Sequence, residues 1–336
     1  MAETLVSLVV PIYNVRDYVT ECLVSIASQT YTEGVECLIV DDCGSDDSMS
    51  LVQKFLDTYD GGIRFRIIRH ESNRGLSAAR NTGTMNAYGK YVLFIDSDDT
   101  IFADCLKCFV ETAQQYPDAE MIAAGAKTNR KDRVKYHSME KPFPDYADNP
   151  EWIARTLLMR GGKEGIPVTA WNRLVNRNFM LQNNLLFREG VLHEDELWNF
   201  MLAKKVSRIA FVKHDTYFYR MRPQSIITGF KNKDENALSC LPVWHEMLSL
   251  FTLELEKEQT HSLWQSINDV SPTCRDRIVR KEVRGILWKL VEKGCWPTSF
   301  LIFIYLLPFV FYIKFIRKQI AKMSRINVRG YSCCMS

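Results

Sequence analysis

No acidic residue follows Glu292 in this chain of 336 residues, although Lys293, Lys314, Arg317, Lys318, Lys322, Arg325 and Arg329 do. The formal charge of the whole is only +3, so the basic excess lies in the tail and the remainder is nearly balanced. A charge that small gives no electrostatic footprint for nucleic acid. The start, Met-Ala-Glu-Thr running directly into strand-like Leu5 to Val10, lacks the basic n-region and long apolar h-region of a secretory signal. Synthesis into the cytosol is expected. The ten cysteines form no disulfide framework, and Cys105-x-x-Cys108 has no second pair at zinc spacing, so reduced thiols are expected, most of them packing residues. No internal repeat is present. No Gly-x-Gly-x-x-Gly follows the first apolar run, where Pro11-Ile-Tyr-Asn14 stands instead, which argues against a Rossmann-type oxidoreductase.

With 46% hydrophobic and 25% charged residues, the chain can bury a sizeable core. Its first 125 residues alternate short apolar runs (Leu5 to Val10, Glu36 to Val40, Phe65 to Ile68, Tyr91 to Ile95, Met121 to Gly125) with amphipathic stretches (Asp17 to Gln29, Asp46 to Tyr59, Leu76 to Tyr88, Asp104 to Tyr116). That alternation predicts an α/β fold of repeated βαβ units on a mixed, mostly parallel sheet. Polar residues at Ser45-Asp46 and Ser77 mark expected helix starts. Thr128 to Pro150, with three prolines and no period, reads as a loop or edge excursion. Helical patterns then dominate over Trp152 to Met159, Ala170 to Leu181, Asp195 to Lys204, Leu241 to Lys257 and Arg275 to Glu292. Cys295 to Ile313 is uncharged for nineteen residues but carries Pro297 and Pro308, which makes it marginal for spanning a bilayer. Followed by an all-basic stretch, it reads as an amphipathic element lying on an anionic membrane surface through residues 295–329; a covered core helix is the alternative.

The chemistry concentrates at the ends of the apolar runs. Val92 to Asp99 is a strand that ends in Asp96, Asp98 and Asp99, and adjacent buried acids need a compensating cation or donors. Mg2+ or Mn2+ holding a diphosphate suits them, a solvated acidic turn being the plainer account. The first strand is expected to stop at Pro11, which has no N–H to give, and to present Tyr13 and Asn14. Asp41-Asp42 ends the second strand: a carboxylate there can accept from a base N–H and Tyr13 offers a stacking face, although helix capping and ordinary packing explain the same residues. In Asn73-Arg-Gly-Leu-Ser-Ala-Ala-Arg80, Gly75 permits the turn into a helix and Arg80 can reach a phosphate, or pair internally with one of the Asp96 to Asp99 acids. Glu194 or Asp195 stands at a helix start as a general base or an acidic cap. Arg220 and Arg222 suit a leaving diphosphate, or a solvated strand edge.

In order and spacing, Val-Val-Pro-Ile-Tyr-Asn14, Ile-Val-Asp-Asp42, Asn73-x-Gly75 with Ala79-Arg-Asn-x-Gly83, and Phe94-Ile-Asp-Ser-Asp-Asp99 resemble the successive motifs of the family 2 glycosyltransferases. The likeness is strong from Leu5 to about Gly125 and looser through Ala170-Trp-Asn-Arg-Leu174, Glu194-Asp195 and Tyr217 to Ile226. It implies a GT-A type, Rossmann-like nucleotide-binding fold and an inverting transfer from a nucleotide sugar. It further implies Asp42 on a uracil-like base, Asp96 and Asp98 as the Asp-x-Asp motif with Asp98 on Mn2+ or Mg2+, and Asp195 as the base. Pro11, Tyr13, Asn14, Asn73, Gly75, Arg80, Arg220 and Arg222 complete the expected nucleotide-sugar site. Cys43 departs from the pattern, in which glycine directly follows the acidic pair. The expected organisation is a transferase domain over 1–230 (nucleotide-sugar half 1–125, acceptor half 126–230), a helical extension over 231–294 and a membrane-associating tail over 295–336. The acceptor implied is a glycan or lipid-linked oligosaccharide in cell-surface polysaccharide synthesis, made at the inner face of the cell membrane. A non-catalytic nucleotide-sugar-binding partner subunit is the alternative.

Overall fold

A computed structural model describes residues 4–129, 135–137, 143–159, 165–222, 233–252, 255–270 and 276–292. The expected apolar runs are strands: β1 (Val6–Ile12), β2 (Val35–Asp41), β3 (Arg64–Arg69), β4 (Tyr91–Phe94) and β6 (Met121–Thr128), with the short β5 (Thr100–Ile101) between the last two. The amphipathic stretches between them are α1 (Val19–Ala27), α2 (Ser48–Leu56), α3 (Leu76–Asn86) and α4 (Cys105–Gln115). Next along the chain are β7 (Lys135–His137), β8 (Tyr146–Ala147), α5 (Pro150–Leu158), β9 (Arg173–Asn176), α6 (Arg177–Gln182), α7 (Glu194–Ala203) and β10 (Ile209–Tyr219), followed by α8 (Lys233–Ser249), α9 (Glu256–Val270) and α10 (Arg277–Glu292).

The strands form one mixed sheet in the order β3-β2-β1-β4-β9-β6-β10-β5, with β7 added on β6 and β8 on β10. β1 to β4 are parallel, as are β6 and β10, while β9 runs antiparallel between β4 and β6. The carboxyl ends of β1, β2, β3, β4 and β10 therefore share one edge, which is where open α/β sheets place ligands. Both faces are covered. Along β1, Val6, Leu8, Val10 and Ile12 pack with Leu23 and Ile26 of α1 and Phe109 of α4, while Val9 turns to the opposite layer with Ala79 of α3, Phe94, Trp198 and Trp244. Burial on both faces explains why these strands read as nearly continuous apolar runs.

Four expectations change. β1 continues through Pro11 to Ile12. The carbonyl of Val9 accepts from Ile95, and that of Ile12, on the other side, accepts from Asp42. Pro11, two residues past Val9, thus turns its missing donor to the side where β4 has ended, and costs no ladder bond. The helix expected over Ala170 to Leu181 is instead a turn, strand β9 and short helix α6. Asn172 takes a left-handed conformation (φ 61°) and donates to the Gly125 carbonyl at 2.6 Å, which directs Arg173 into the sheet. The helix expected over Leu241 to Lys257 starts earlier, at Lys233, ends at Ser249 and is followed by α9; Trp244 of α8 donates to Ser266 of α9 at 2.8 Å. α3 begins at Leu76, with Gly75 as its N-cap, rather than at Ser77. Thr128 to Pro150 contributes two short strands at the sheet margin, β7 and β8. Cys22, Cys37, Cys105 and Cys240 are buried free thiols, Cys108 is partly buried and Cys43 exposed. No helix among the described residues is long and apolar enough to cross a membrane, and the tail over 295–336 lies outside the described residues.

Candidate active site

The β2 end and the loop after β3 are joined through one carboxylate. Asp42 is only 2% exposed, and its Oδ1 accepts from His70 Nδ1 at 2.6 Å and the Arg74 N–H at 2.9 Å, its Oδ2 from the Gly75 N–H at 2.8 Å. His70 also meets Thr82 Oγ1 through Nε2 at 2.9 Å. His70 was not among the residues expected at the site, yet its place follows from register: Asp41 pairs with Arg69 in the parallel β2–β3 ladder, so the residues that follow emerge side by side. Gly75, at φ 86° and ψ 167°, occupies a region that is essentially reserved for glycine. Gly75→Ala is expected to cost about 1–3 kcal/mol in denaturant unfolding and to withdraw both N–H groups from Asp42. An unchanged midpoint would show that the turn does not need this conformation.

Asn14, left-handed at φ 51°, accepts from the Ser45 N–H at 2.8 Å and so ties the β1 end to the loop after β2. A side chain at Gly44 would stand 2.9 Å from Asn14 Oδ1, so the glycine lets the two loops close. Cys43, the departure from the family pattern, is accommodated at φ 60°. Tyr13 stands beside this junction with 47% of its surface exposed. Asn73 is exposed in the turn that serves Asp42.

The three acids after β4 do not pool. The Asp99 N–H returns to the Asp96 carbonyl at 3.0 Å, making a tight turn. Asp99 is buried and accepts from the Tyr217 hydroxyl at 2.8 Å and the Arg220 N–H at 2.7 Å, and that hydroxyl in turn accepts from the Asp96 N–H at 3.1 Å. Burial, then the charges of Asp98 and Asp96, push the Asp99 carboxyl well above the usual range. Asp98 Oδ2 accepts from Arg222 Nε at 2.6 Å. Asp96 pairs with Arg80 at 2.7 Å.

Arg80 carries that contact on to α7. Its side chain is 3% exposed, and its other terminal nitrogen donates to Glu194 at 2.6 Å, so one fork bridges the β4 end and the first residue of α7. Burial raises the Glu194 pKa and Arg80 opposes the rise. His193, left-handed at φ 62°, starts α7 abruptly and puts Glu194, Asp195 and Glu196 in its first turn, where the helix dipole favours acids. Asp195 is half-buried beside it and accepts from the Glu196 N–H at 2.9 Å. Arg173 is buried and bound to Asn199 at 2.8 Å and to the Pro167 carbonyl; burial lowers its pKa and the charge of Asp195 works against that shift.

The profile of glycosyl transferase family 2 matches residues 7–179, more than half of the chain. The chain belongs to glycosyl transferase family 2. The chain is similar to the uncharacterized glycosyltransferase EpsJ of Bacillus subtilis, at 29% identity over 66% of this chain and 62% of that one. It thus spans less than two thirds of that relative's length. Its fold is also that of Staphylococcus aureus TarS 1–349, solved in complex with UDP-GlcNAc (TM-score 0.63, 22% identity, 90% of this chain and 82% of that one). The mannosyltransferase PcManGT from Pyrobaculum calidifontis, solved with GDP-Man and Mn2+, shares it too (TM-score 0.57, 15% identity, 88% and 78%). This is the GT-A architecture expected from the motifs.

The fold therefore brings Tyr13, Asn14, Asp42, Asn73 and Gly75 to one end of the shared strand edge, and Asp96, Asp98, Arg80, Asp195, Arg220 and Arg222 further along it. Pro11 sits within β1 and lends no polar side chain. Arg80 spends its fork on two carboxylates, the internal pairing foreseen as the alternative to phosphate binding. For a divalent cation, no group of three or more His, Cys, Asp or Glu ligands gathers among the described residues. Asp96 and Asp99 are committed to protein partners, whereas Asp98 already holds a cationic side chain. One carboxylate completed by phosphate and water suits Mg2+ or Mn2+, which seldom occupy all-protein cages. Besides His70, sequence reasoning missed Tyr18 and Glu21 at the start of α1. They meet Arg220 and Arg222, and only the fold brings them there.

Proposed function

We propose that the protein moves a sugar from a uridine diphosphate donor to a hydroxyl of a glycan or lipid-linked acceptor, with inversion, in cell-surface polysaccharide synthesis. The observation that carries the chemistry is the Arg80 fork: by holding Asp96 and Glu194 together, it sets Asp98 and Asp195, their near neighbours, on the same cleft. Asp195 takes the proton of the acceptor hydroxyl. The freed oxygen bonds to the anomeric carbon from the face opposite the diphosphate, whose bond to that carbon breaks. Asp98 would hold a divalent cation, Mn2+ or Mg2+, which would supply charge stabilisation for the leaving diphosphate, and the Mn2+ bound to PcManGT supports this reading. Arg220 and Arg222 lie within reach of the same charge.

The uridine assignment rests on counting lone pairs. An ionised carboxylate offers about four acceptor sites, and Asp42 has given three to His70, Arg74 and Gly75. One acceptor matches the single imide N–H of uracil, whereas guanine presents two donors side by side. The UDP-GlcNAc bound to TarS supports the same choice. Residues 1–230 form the transferase domain in this reading and 231–294 its helical extension. The uncharged and basic stretch 295–329 supports a reading in which the enzyme works at the inner face of the membrane.

The test is a panel of nucleotide sugars with Mn2+ or Mg2+, reading nucleoside diphosphate release with and without detergent-solubilised lipid acceptors, beside calorimetric binding of UDP and GDP. Release from a uridine donor and preference for UDP are expected. Preference for GDP would overturn the base assignment, and release that is unaffected by chelating the metal would overturn the role of Asp98.

A further inference from the structure

The cation that touches Asp98 in this structure is the protein's own. Arg222 Nε donates to Asp98 Oδ2 at 2.6 Å, the two side chains being 19% and 21% exposed. Two residues earlier, Arg220 donates Nε to the Asp98 carbonyl at 3.0 Å and its backbone N–H to Asp99 at 2.7 Å, fixing the strand end against the acidic turn. Both guanidinium groups lie over one ring: Tyr18, at the start of α1, has Arg220 at 5.5 Å and Arg222 at 5.2 Å from its centroid. Glu21, on the first turn of α1, also pairs with Arg220. Tyr18 and Glu21 thus make a shelf that stations two arginines at the acidic turn, with one of them on the Asp98 carboxylate itself.

We infer that Arg222 is an exchangeable counter-ion for Asp98: it occupies the carboxylate from the Tyr18 shelf and yields it to a divalent cation when a diphosphate arrives to pair with the arginine instead. This rests on Asp98 being the metal-binding carboxylate. A short charge-assisted hydrogen bond in a part-buried place is among the stronger polar contacts. A cation that enters alone has to break it and strip Arg222 of that partner. A cation that enters with a nucleoside diphosphate breaks the same bond but brings phosphate oxygens, which the planar guanidinium binds as well as it binds a carboxylate. The penalty on metal alone is then a positive coupling between metal and nucleotide, and by linkage each tightens the other to the same degree. The exchange keeps the site from filling with free metal and reserves it for the cation–diphosphate complex.

The test is a Mn2+ titration followed by the EPR signal of free Mn2+, on the full chain, without and with saturating UDP. Wild type is compared with Arg222→Gln, Tyr18→Leu and Asp98→Asn. Arg222→Gln is expected to bind Mn2+ alone about tenfold tighter than wild type, and to gain less from UDP. Tyr18→Leu, which keeps both arginines but removes their shelf, is expected to move the same way by less and guards against a misfolded first variant. Asp98→Asn is expected to lose Mn2+ in both conditions. Mn2+ affinity without UDP that is unchanged or weaker in both Arg222→Gln and Tyr18→Leu, with Asp98→Asn still deficient, would overturn the exchange and leave the metal assignment standing. Undiminished Mn2+ binding by Asp98→Asn, or none in any sample, would overturn the metal assignment and the exchange together.

Discussion

Asp195→Asn is expected to lower the transfer rate by about 10² to 10⁴-fold, the usual contribution of a positioned base, while UDP binds as it does to wild type. The substitution is nearly isosteric, and the amide oxygen can still accept from the Glu196 N–H that Asp195 holds at 2.9 Å. The neighbouring Glu194, unchanged in the variant, keeps the contact of α7 to Arg80. What the variant loses is the ability to take a proton, so kcat should fall without a matching change in donor affinity. The groups assigned to the nucleotide stand at the ends of β1 to β3, served by Asn14, Asp42 and the turn at Gly75. Initial rates with the best donor, beside calorimetric UDP titration, check both halves. Transfer at the wild-type rate would remove Asp195 from the role of base, and a parallel loss of UDP affinity would mean that the substitution has disturbed the cleft as a whole.

The acids of this site are legible in the sequence because each ends an element that the sequence announces. Asp42 and Asp96 to Asp99 terminate apolar runs buried on both faces of the sheet, and Asp195 opens an amphipathic run. What those acids touch is less legible, because periodicity reports which face of an element is buried and not which distant element covers it. The Arg80–Asp96 pair, only 16 residues apart, is foreseeable as an alternative; the Arg80–Glu194 contact spans 114. His70 and Tyr18 were missed for the same reason, one depending on strand register and the other on how α1 lies beside the end of β10. Ala170 to Leu181 misled in a different way. Its apolar spacing is compatible with a helix, but the left-handed Asn172 and its bond to the Gly125 carbonyl redirect the chain into β9. Tertiary hydrogen bonding overrides local propensity there, and Arg173 is delivered next to Asp195 as a result.

Arg80→Met is expected to destabilise the fold by roughly 3–5 kcal/mol at neutral pH, the usual cost of removing one partner from a buried ion pair. The loss comes from what stays behind. Glu194, almost fully buried, and Asp96, a quarter exposed, both lean on this guanidinium, and methionine fills much of its volume without its charge. Burial already raises the pKa of both carboxyls in the native protein, with Arg80 acting against the rise. Without Arg80 the folded-state values climb further, so the folded chain binds more protons than the unfolded one above the ordinary carboxylate range. For a group raised in the folded state, stability is fully present below the unfolded pKa and is lost as pH rises through the folded value. The variant's deficit should therefore be largest at neutral pH and shrink on acidification toward pH ~5. Denaturant unfolding of both proteins across that range measures it. A deficit that is constant with pH would mean that packing against the Phe187 ring, 5.2 Å from the guanidinium, outweighs the two charges. If the deficit shrinks instead, Arg80 holds the β4 end and α7 together electrostatically, and any variant that keeps Asp98 and Asp195 but loses Arg80 should lose their mutual placement as well.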